Sequence, residues 1–312
     1  MSGLAAVAIE TPGRAVLGRF LRHRLAVASA VTLGLLVTLA LLAPVIEQLL
    51  GIDAEVVDLF ARYGPPSAAH PLGTDELGRD VLVRLLYGGR VSLFVGLTAT
   101  IAAAIIGTAV GLVSGYAGGR FDAFVMRVTD GVIALPILPL LIVLAAVDLG
   151  KLGFSDSVLS SENVSLYRIV AIVALVGWTT VARLVRASTL SLKTRPFVLA
   201  ARAQGASAAR IMLRHILPNL ASPIIVATTL SVGNVILLES VLSFLGLGIQ
   251  PPLPSWGNLL TGAQETIWEA PGLAFYPGML IFVTVIAFNF VGDGLQDALD
   301  PRARDRRAAD RH

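Results

Sequence analysis

The chain contains no cysteine, which excludes a disulfide framework, a thiolate zinc site and a cysteine nucleophile. Its four histidines, His23, His70, His215 and His312, lie too far apart in sequence for ligand spacing. No glycine-rich loop ending in Lys-Ser/Thr occurs, so the chain cannot itself cradle the phosphates of ATP in the usual way. A serine elbow, an HExxH run and a buried acid pair are missing too, and with them any candidate site for enzymatic chemistry. Charge is scarce. Only 14% of the 312 residues are charged, where soluble domains carry about a quarter. The net charge of +3 does not point to nucleic acid, because no basic patch interleaves with aromatics.

What the chain does have is apolar length. Hydrophobic residues make up 55% of it, so most of its surface must face lipid. After Arg14, Arg19, Arg22 and Arg24 come 22 uncharged residues before Glu47. That suffices to cross roughly 30 Å of hydrocarbon, so the segment reads as a retained first span (within Leu25–Ile46) rather than a secretory signal. Val91–Gly119 holds 29 residues without a charge and predicts the second span. The third is expected at about Phe124–Val147 and the fourth at about Tyr167–Val185, where only 14 uncharged residues precede Arg183. Leu220–Leu242 and Ala270–Gly292 complete a prediction of six transmembrane helices in an all-α integral membrane protein.

Positive charge sets the orientation. With a cytoplasmic N-terminus, 18 of the 24 lysines and arginines fall on inner segments. Both termini and the Pro196–Asn219 segment are then inside.

Several shorter signals lie on this frame. His70–Arg90 reads as an amphipathic helix with Thr74 as its cap. In that reading Asp75 and Glu76 sit at the positive end of the dipole, and Asp80 pairs with Arg84 at i,i+4. Gly107, Gly111 and Gly115 make a groove for close helix packing. Pro136 and Pro139 bend the third span, either to line a pathway or to fit a bundle. Asn234 and Glu239 lie in the fifth span, and an ionisable residue there is a functional candidate. Glu239, however, is about 25 Å along the helix from Ser222, near the far boundary, where it would reach water or a headgroup. Beyond it, glycines and prolines predict a tight outer turn with Trp256 at the interface. Asp293, Asp297 and Asp300 share a helix face suited to meeting arginines rather than a divalent ion.

Pro196–Asn219 is the segment around which the rest is arranged. Ala200, Ala201 and Ala203 favour helix, Gly205 interrupts it, and Ser207 caps a second short helix that carries Arg210 and Arg214 and stops near Pro218. The product is a helix–turn–helix knuckle with a small-residue backbone.

Here the chain resembles a family. Ala200-Ala201-x3-Gly205 followed by Leu217-Pro218 is similar to the signature loop of bacterial ATP-binding-cassette importer permeases, with Leu199 where that family has glutamate and His215 where it has isoleucine. His70-Pro71-Leu72-Gly73-Thr74-Asp75-x-Leu77-Gly78-Arg79-Asp80 and Ser243–Gly257 resemble the dipeptide and oligopeptide branch, which also includes nickel permeases. The Trp178–Arg186 run is similar to the family, and the resemblance runs almost continuously from about His70 to Pro301.

The resemblance implies a type I importer permease fold in a bacterial inner membrane, with a second related permease beside it. It also implies two ATPase subunits that carry ATP and Mg, and an extracytoplasmic solute-binding protein. This chain would bind no cofactor or metal. The coupling residues implied are Arg195, Phe197, Ala200, Ala201, Gly205, Ala206, Ser207, Leu217 and Pro218, within a loop at about 186–219. Residues 1–69 form an N-terminal unit with the first span, 70–300 the permease core, and 301–312 a basic tail. An ion-gradient-driven secondary transporter is the alternative, although the duplicated halves such carriers usually show are not seen.

Overall fold

The computed structural model describes residues 12–148, 150–153, 155, 161 and 163–300. The basic tail therefore lies outside the described residues. Among those described there is no strand, only an isolated bridge between Thr74 and Asp80.

Among the described residues, five helices are long and apolar enough to cross a membrane. They are α2 (Arg24–Leu41), α4 (Val81–Ala117), α7 (Val164–Leu192), a continuous stretch ending in α10 (Leu217–Phe244), and α11 (Gly272–Leu299). The short α1 (Pro12–Phe20) precedes the first of them, and α3 (Ala43–Leu50) follows it. α5 (Gly119–Ala134) and α6 (Ile137–Ala145), which meet at 89°, make a sixth crossing if the bent pair counts as one span. Pro136 stands at that break as the N-cap residue of α6, with φ −63° and ψ 118°. A residue before proline is pushed out of the helical region, and Leu135 accordingly adopts φ −75° and ψ 137°. Pro139 lies in the first turn of α6, where its missing N–H is harmless. The fourth span, the shortest expected from sequence, proves to be a 29-residue helix. Its arginines are accommodated by pairing, not by ending it.

α4 and α7 form the most extensive helix pair, and the glycine groove is its cause. A Cβ at Gly107 would sit 2.5 Å from the Trp178 carbonyl, and one at Gly115 would sit 2.9 Å from that of Arg186; Gly111 meets the Ala182 carbonyl in the same way. These contacts rise together along both helices, so α4 and α7 are parallel. Gly96 against Ile236 and Ser92 against Glu239 make α10 antiparallel to α4. Gly233 against Val285, and Gly292 against Leu230, make α11 antiparallel to α10. Gly294 meets Ala26, which places the start of α2 beside the end of α11. The ends of α4, α7 and α11 and the starts of α2 and α10 therefore share one end of the bundle. α1 lies there too, with Arg19 donating to the Asp300 carbonyl at 3.1 Å.

The segment before α4 departs from the expected helix. Helix begins only at Val81, and its cap is Asp80, which accepts the Val83 N–H at 2.9 Å. Thr74 is buried in a turn instead, with its hydroxyl donating to the Ala61 carbonyl and accepting the Gly64 N–H. Asp75 does not face a helix dipole. It accepts the Leu77 and Arg79 N–H groups and pairs with Arg79 through Nε at 2.8 Å. Asp80 pairs with His70 at 3.1 Å, not with Arg84, whose ion-pair neighbour is Asp75. Gly73 and Gly78, both at positive φ, permit this compact loop and break the helical pattern.

Candidate functional site

The knuckle between α7 and α10 folds as its residues dictate. Pro196 opens α8 (Pro196–Ala203) at a position where it leaves no helical hydrogen bond unmade, and Arg195 supplies the extended backbone before it. α8 ends in a Schellman arrangement: the Ala206 N–H donates to Ala201 O at 3.1 Å and the Gly205 N–H to Arg202 O at 3.0 Å. Gly205 takes φ +79°, which a side chain would strain. Ser207 then caps α9 (Ala208–Arg210), its Oγ accepting the Arg210 N–H at 3.4 Å. The helix does not stop at Pro218. A π-helical turn, Ile211–Ile216, carries it straight into α10, with Pro218 in the first turn. Single π turns of this kind recur at functional sites.

The knuckle has two faces. Val198, Ala201, Ile211 and Ile216 are buried against Leu112, Val181, Val185 and Leu220, with Ala206 and Leu217 packed on their edge. Of the expected Ala-Ala pair, Ala201 therefore packs mainly on its own chain and is 9% exposed, whereas Ala200 lies on the open face. The other face carries Phe197, Leu199, Ala200, Gly205, Ser207 and Leu213, all exposed, together with Arg195, Arg210, Arg214 and Pro218. A Cβ added at Gly205 would find no atom within 4 Å, so this point of the surface is open.

Polar links hold the knuckle to the bundle. Arg202 stacks over the Tyr116 ring at 5.5 Å and donates to its hydroxyl at 3.3 Å. Lys193 donates to the Gly115 carbonyl at 2.8 Å. Further from the knuckle, Arg186 grips Asp122 through two parallel bonds of 2.7 and 2.6 Å, and Arg183 pairs with Asp130 on the exposed side of the same helices. Charge counting along the sequence assigns these arginines to topology and misses the pairings. The signal available was Asp122 and Asp130 on α5, two carboxylates within a segment expected to span the membrane.

The expected pathway residues are not brought together. Pro136 and Pro139 are exposed at the α5–α6 bend, and Asn234 is exposed on α10. Glu239 points elsewhere. It is 0% exposed and reaches neither water nor a headgroup, contrary to expectation. Its carboxylate accepts from Ser92 at 3.1 Å and from Ser243 at 2.7 Å. Those hydroxyls in turn accept the Trp256 and Ile249 backbone N–H groups. A carboxylate at this depth is tolerated because each of its oxygens has a donor. Trp256 likewise is buried rather than interfacial: its ring packs on Gly89, and its indole N–H donates to Leu85 O at 3.0 Å. Asp297 lies 3.9 Å from His23, and no group of three or more metal-ligating side chains forms among the described residues.

Residues 107–305 match the model of the binding-protein-dependent transport system inner membrane component. The chain belongs to this family of permeases. Residues 11–65 match the N-terminal transmembrane domain of oligopeptide transport permease C, which extends the likeness into the first span. The permease is 39% identical over 297 residues to the glutathione transport system permease protein GsiD of Pectobacterium atrosepticum, covering 95% of this chain and 93% of that one. It is 37% identical to the oligopeptide transport system permease protein OppC of Bacillus subtilis, over 92% of this chain and 88% of the relative. It is also 37% identical to the dipeptide transport system permease protein DppC of Alkalihalophilus pseudofirmus, over 94% and 91%. The permease is therefore a multi-pass protein of the inner membrane, with the all-helical architecture of a type I importer subunit.

Proposed function

We propose that this permease is the membrane-spanning subunit of an ATP-driven importer of short peptides, and that the knuckle receives the stroke of an ATPase. The observation that carries the reading is the two-faced knuckle. Its inner face is locked to α4, α7 and α10, while its outer face presents Phe197, Leu199, Ala200 and Leu213 beside arginines. Apolar side chains exposed at a charged end of a bundle mark a protein contact. The peptide and glutathione transport named in the relatives supports the substrate class.

In this reading both termini and the knuckle are cytoplasmic, in accord with the positive charge there. A second related permease completes the pathway, two ATPase subunits hold ATP and Mg, and a binding protein delivers solute from outside. ATP-driven closure pushes on Phe197 and Ala200. The movement passes through the buried face, where Val198 and Ile211 share one apolar cluster with Val185 and Leu112, and through the Arg202–Tyr116 contact, into α4 and α7. The outward- and inward-open states are two populations that ATP and the loaded binding protein shift. Pro136, Pro139 and Asn234 are pathway residues in this proposal, and Glu239 is a structural anchor.

Co-purification from native membranes tests it. Recovery of a second permease and ATPases, with ATPase activity stimulated by the binding protein and peptide, is the expected result. Gly205→Glu in the assembled complex should abolish that stimulation; unchanged stimulation and uptake would remove the knuckle from the coupling role. A chain that purifies alone and transports on an ion gradient would overturn the importer reading.

A further inference from the structure

A cavity of about 580 Å³ opens at the end of the bundle opposite the knuckle. That size lies within the range of small-molecule sites, about 300–1,000 Å³. It is bounded by the end of α3, the segment at 53–55, the first turns of α4 and α7, and the 252–254 turn.

Its charges are sorted. Arg84 and Arg90 line it from α4, while Asp53 and Glu55 stand exposed on the segment that follows α3. Glu47 braces the acidic side, and both its oxygens are engaged within the chain. One accepts the Ala54 N–H at 2.8 Å and the other the Tyr87 hydroxyl at 2.5 Å.

Arg84 is the buried member of the basic side. It is 7% exposed, and its buried Nε has no hydrogen-bond acceptor among the described residues. Asp75 lies 3.3 Å from that Nε, but Arg79 already donates to the same carboxylate through its own Nε and lies 2.8 Å from it through Nη2. Arg84 thus carries a buried charge whose ion-pair neighbour, Asp75, is shared with Arg79, and it also lines the cavity.

We propose that this cavity binds a small zwitterion, its acid group on Arg84 and Arg90 and its primary ammonium between Asp53 and Glu55. A simple anion fits poorly, because it would meet the acidic side without a compensating charge. An uncharged solute would engage neither the arginines nor the acidic side through charge. The free ends of a short peptide carry both charges, and so does an ethanolamine phospholipid headgroup. The site rests on the importer reading only in that its mouth then faces the outside.

The test is calorimetric titration of the full chain in phosphatidylcholine nanodiscs, with Gly-Gly as probe. Saturable binding is expected. Acetylating the amine or amidating the carboxylate should each weaken it about tenfold or more, as charge-assisted bonds are lost. Arg84→Gln risks misfolding because the residue is buried, so exposed Arg90 carries the test. Arg90→Gln should weaken Gly-Gly about tenfold and erase its advantage over Gly-Gly amide. Asp53→Asn should instead narrow the gap between the free and the acetylated amine.

Adding phosphatidylethanolamine to the disc assigns the source. Displacement of Gly-Gly shows that the headgroup occupies the same zwitterion site, and no displacement shows a site for soluble solute. Equal affinity for both capped dipeptides and Gly-Gly, unchanged affinity in Arg90→Gln, or no saturable binding would overturn the site. None of these outcomes bears on ATPase stimulation in the complex, so the importer reading stands or falls separately.

Discussion

Single residues decide how this chain tolerates polarity within lipid. Glu239 is held by two serines that themselves accept backbone N–H groups, so one carboxylate joins α4, α10 and the 249–256 turn. Truncating it leaves the hydroxyls of Ser92 and Ser243 without their acceptor. Glu239→Ala is expected to destabilise the fold by about 1–3 kcal/mol, while Glu239→Gln retains an acceptor and costs less. Thermal unfolding of the purified protein in detergent ranks the two; equal melting temperatures for both variants and the parent would show that the knot contributes nothing. Trp256 is the apolar counterpart. It fills the space against Gly89, and Trp256→Ala should cost about 3–5 kcal/mol by opening a cavity between the turn and α4. A shallow loss, typical of an exposed interfacial tryptophan, would contradict its burial.

At the scale of elements, the α4–α7 pair is held by absence of side chains. Burying apolar surface gives little net drive in lipid, so close backbone approach and its dispersion contacts carry the association. Adding a methyl at Gly107 drives it into the Trp178 carbonyl, and backbone cannot step aside as a flexible side chain can. Gly107→Ala or Gly111→Ala should therefore lower the melting temperature. Gly131→Ala on α5, where no atom lies near, should not lower it, since alanine is the better helix former. The knuckle poses the complementary case at Gly205. Space there is open but φ is +79°, so Gly205→Ala costs about 1–2 kcal/mol through backbone strain alone. Coupled ATPase activity then reports whether that turn must keep its shape.

For the whole molecule, the lack of cysteine provides a direct measurement of orientation. Single cysteines at exposed Ser207 and Glu55 lie at opposite ends of the bundle. In intact spheroplasts a membrane-impermeant maleimide should label Glu55→Cys and spare Ser207→Cys until the membrane is permeabilised. The reverse pattern would invert the topology and remove the knuckle from the ATPase side.

Much of this was legible in the sequence, because the physics involved is local. Lipid forces backbone groups to pair within their own helix, so runs of uncharged residues mark spans without knowledge of their neighbours. Gly205, Ser207 and Pro196 act on backbone within a few residues, and the knuckle's two short helices followed. The glycine spacing in α4 named a packing face, and Pro136 named a bend. What stayed hidden depends on residues distant in the chain. Asp122 finds Arg186, Glu239 finds Ser92, and Trp256 finds Gly89 only once the helices are assembled. The same assembly moved the cap of α4 from Thr74 to Asp80, turned Ala201 inward, and gathered Arg84, Arg90, Asp53 and Glu55 around one cavity. Local propensity and lipid exclusion set the spans and the knuckle; which polar groups are paired, and which line a cavity, is decided where separate segments meet.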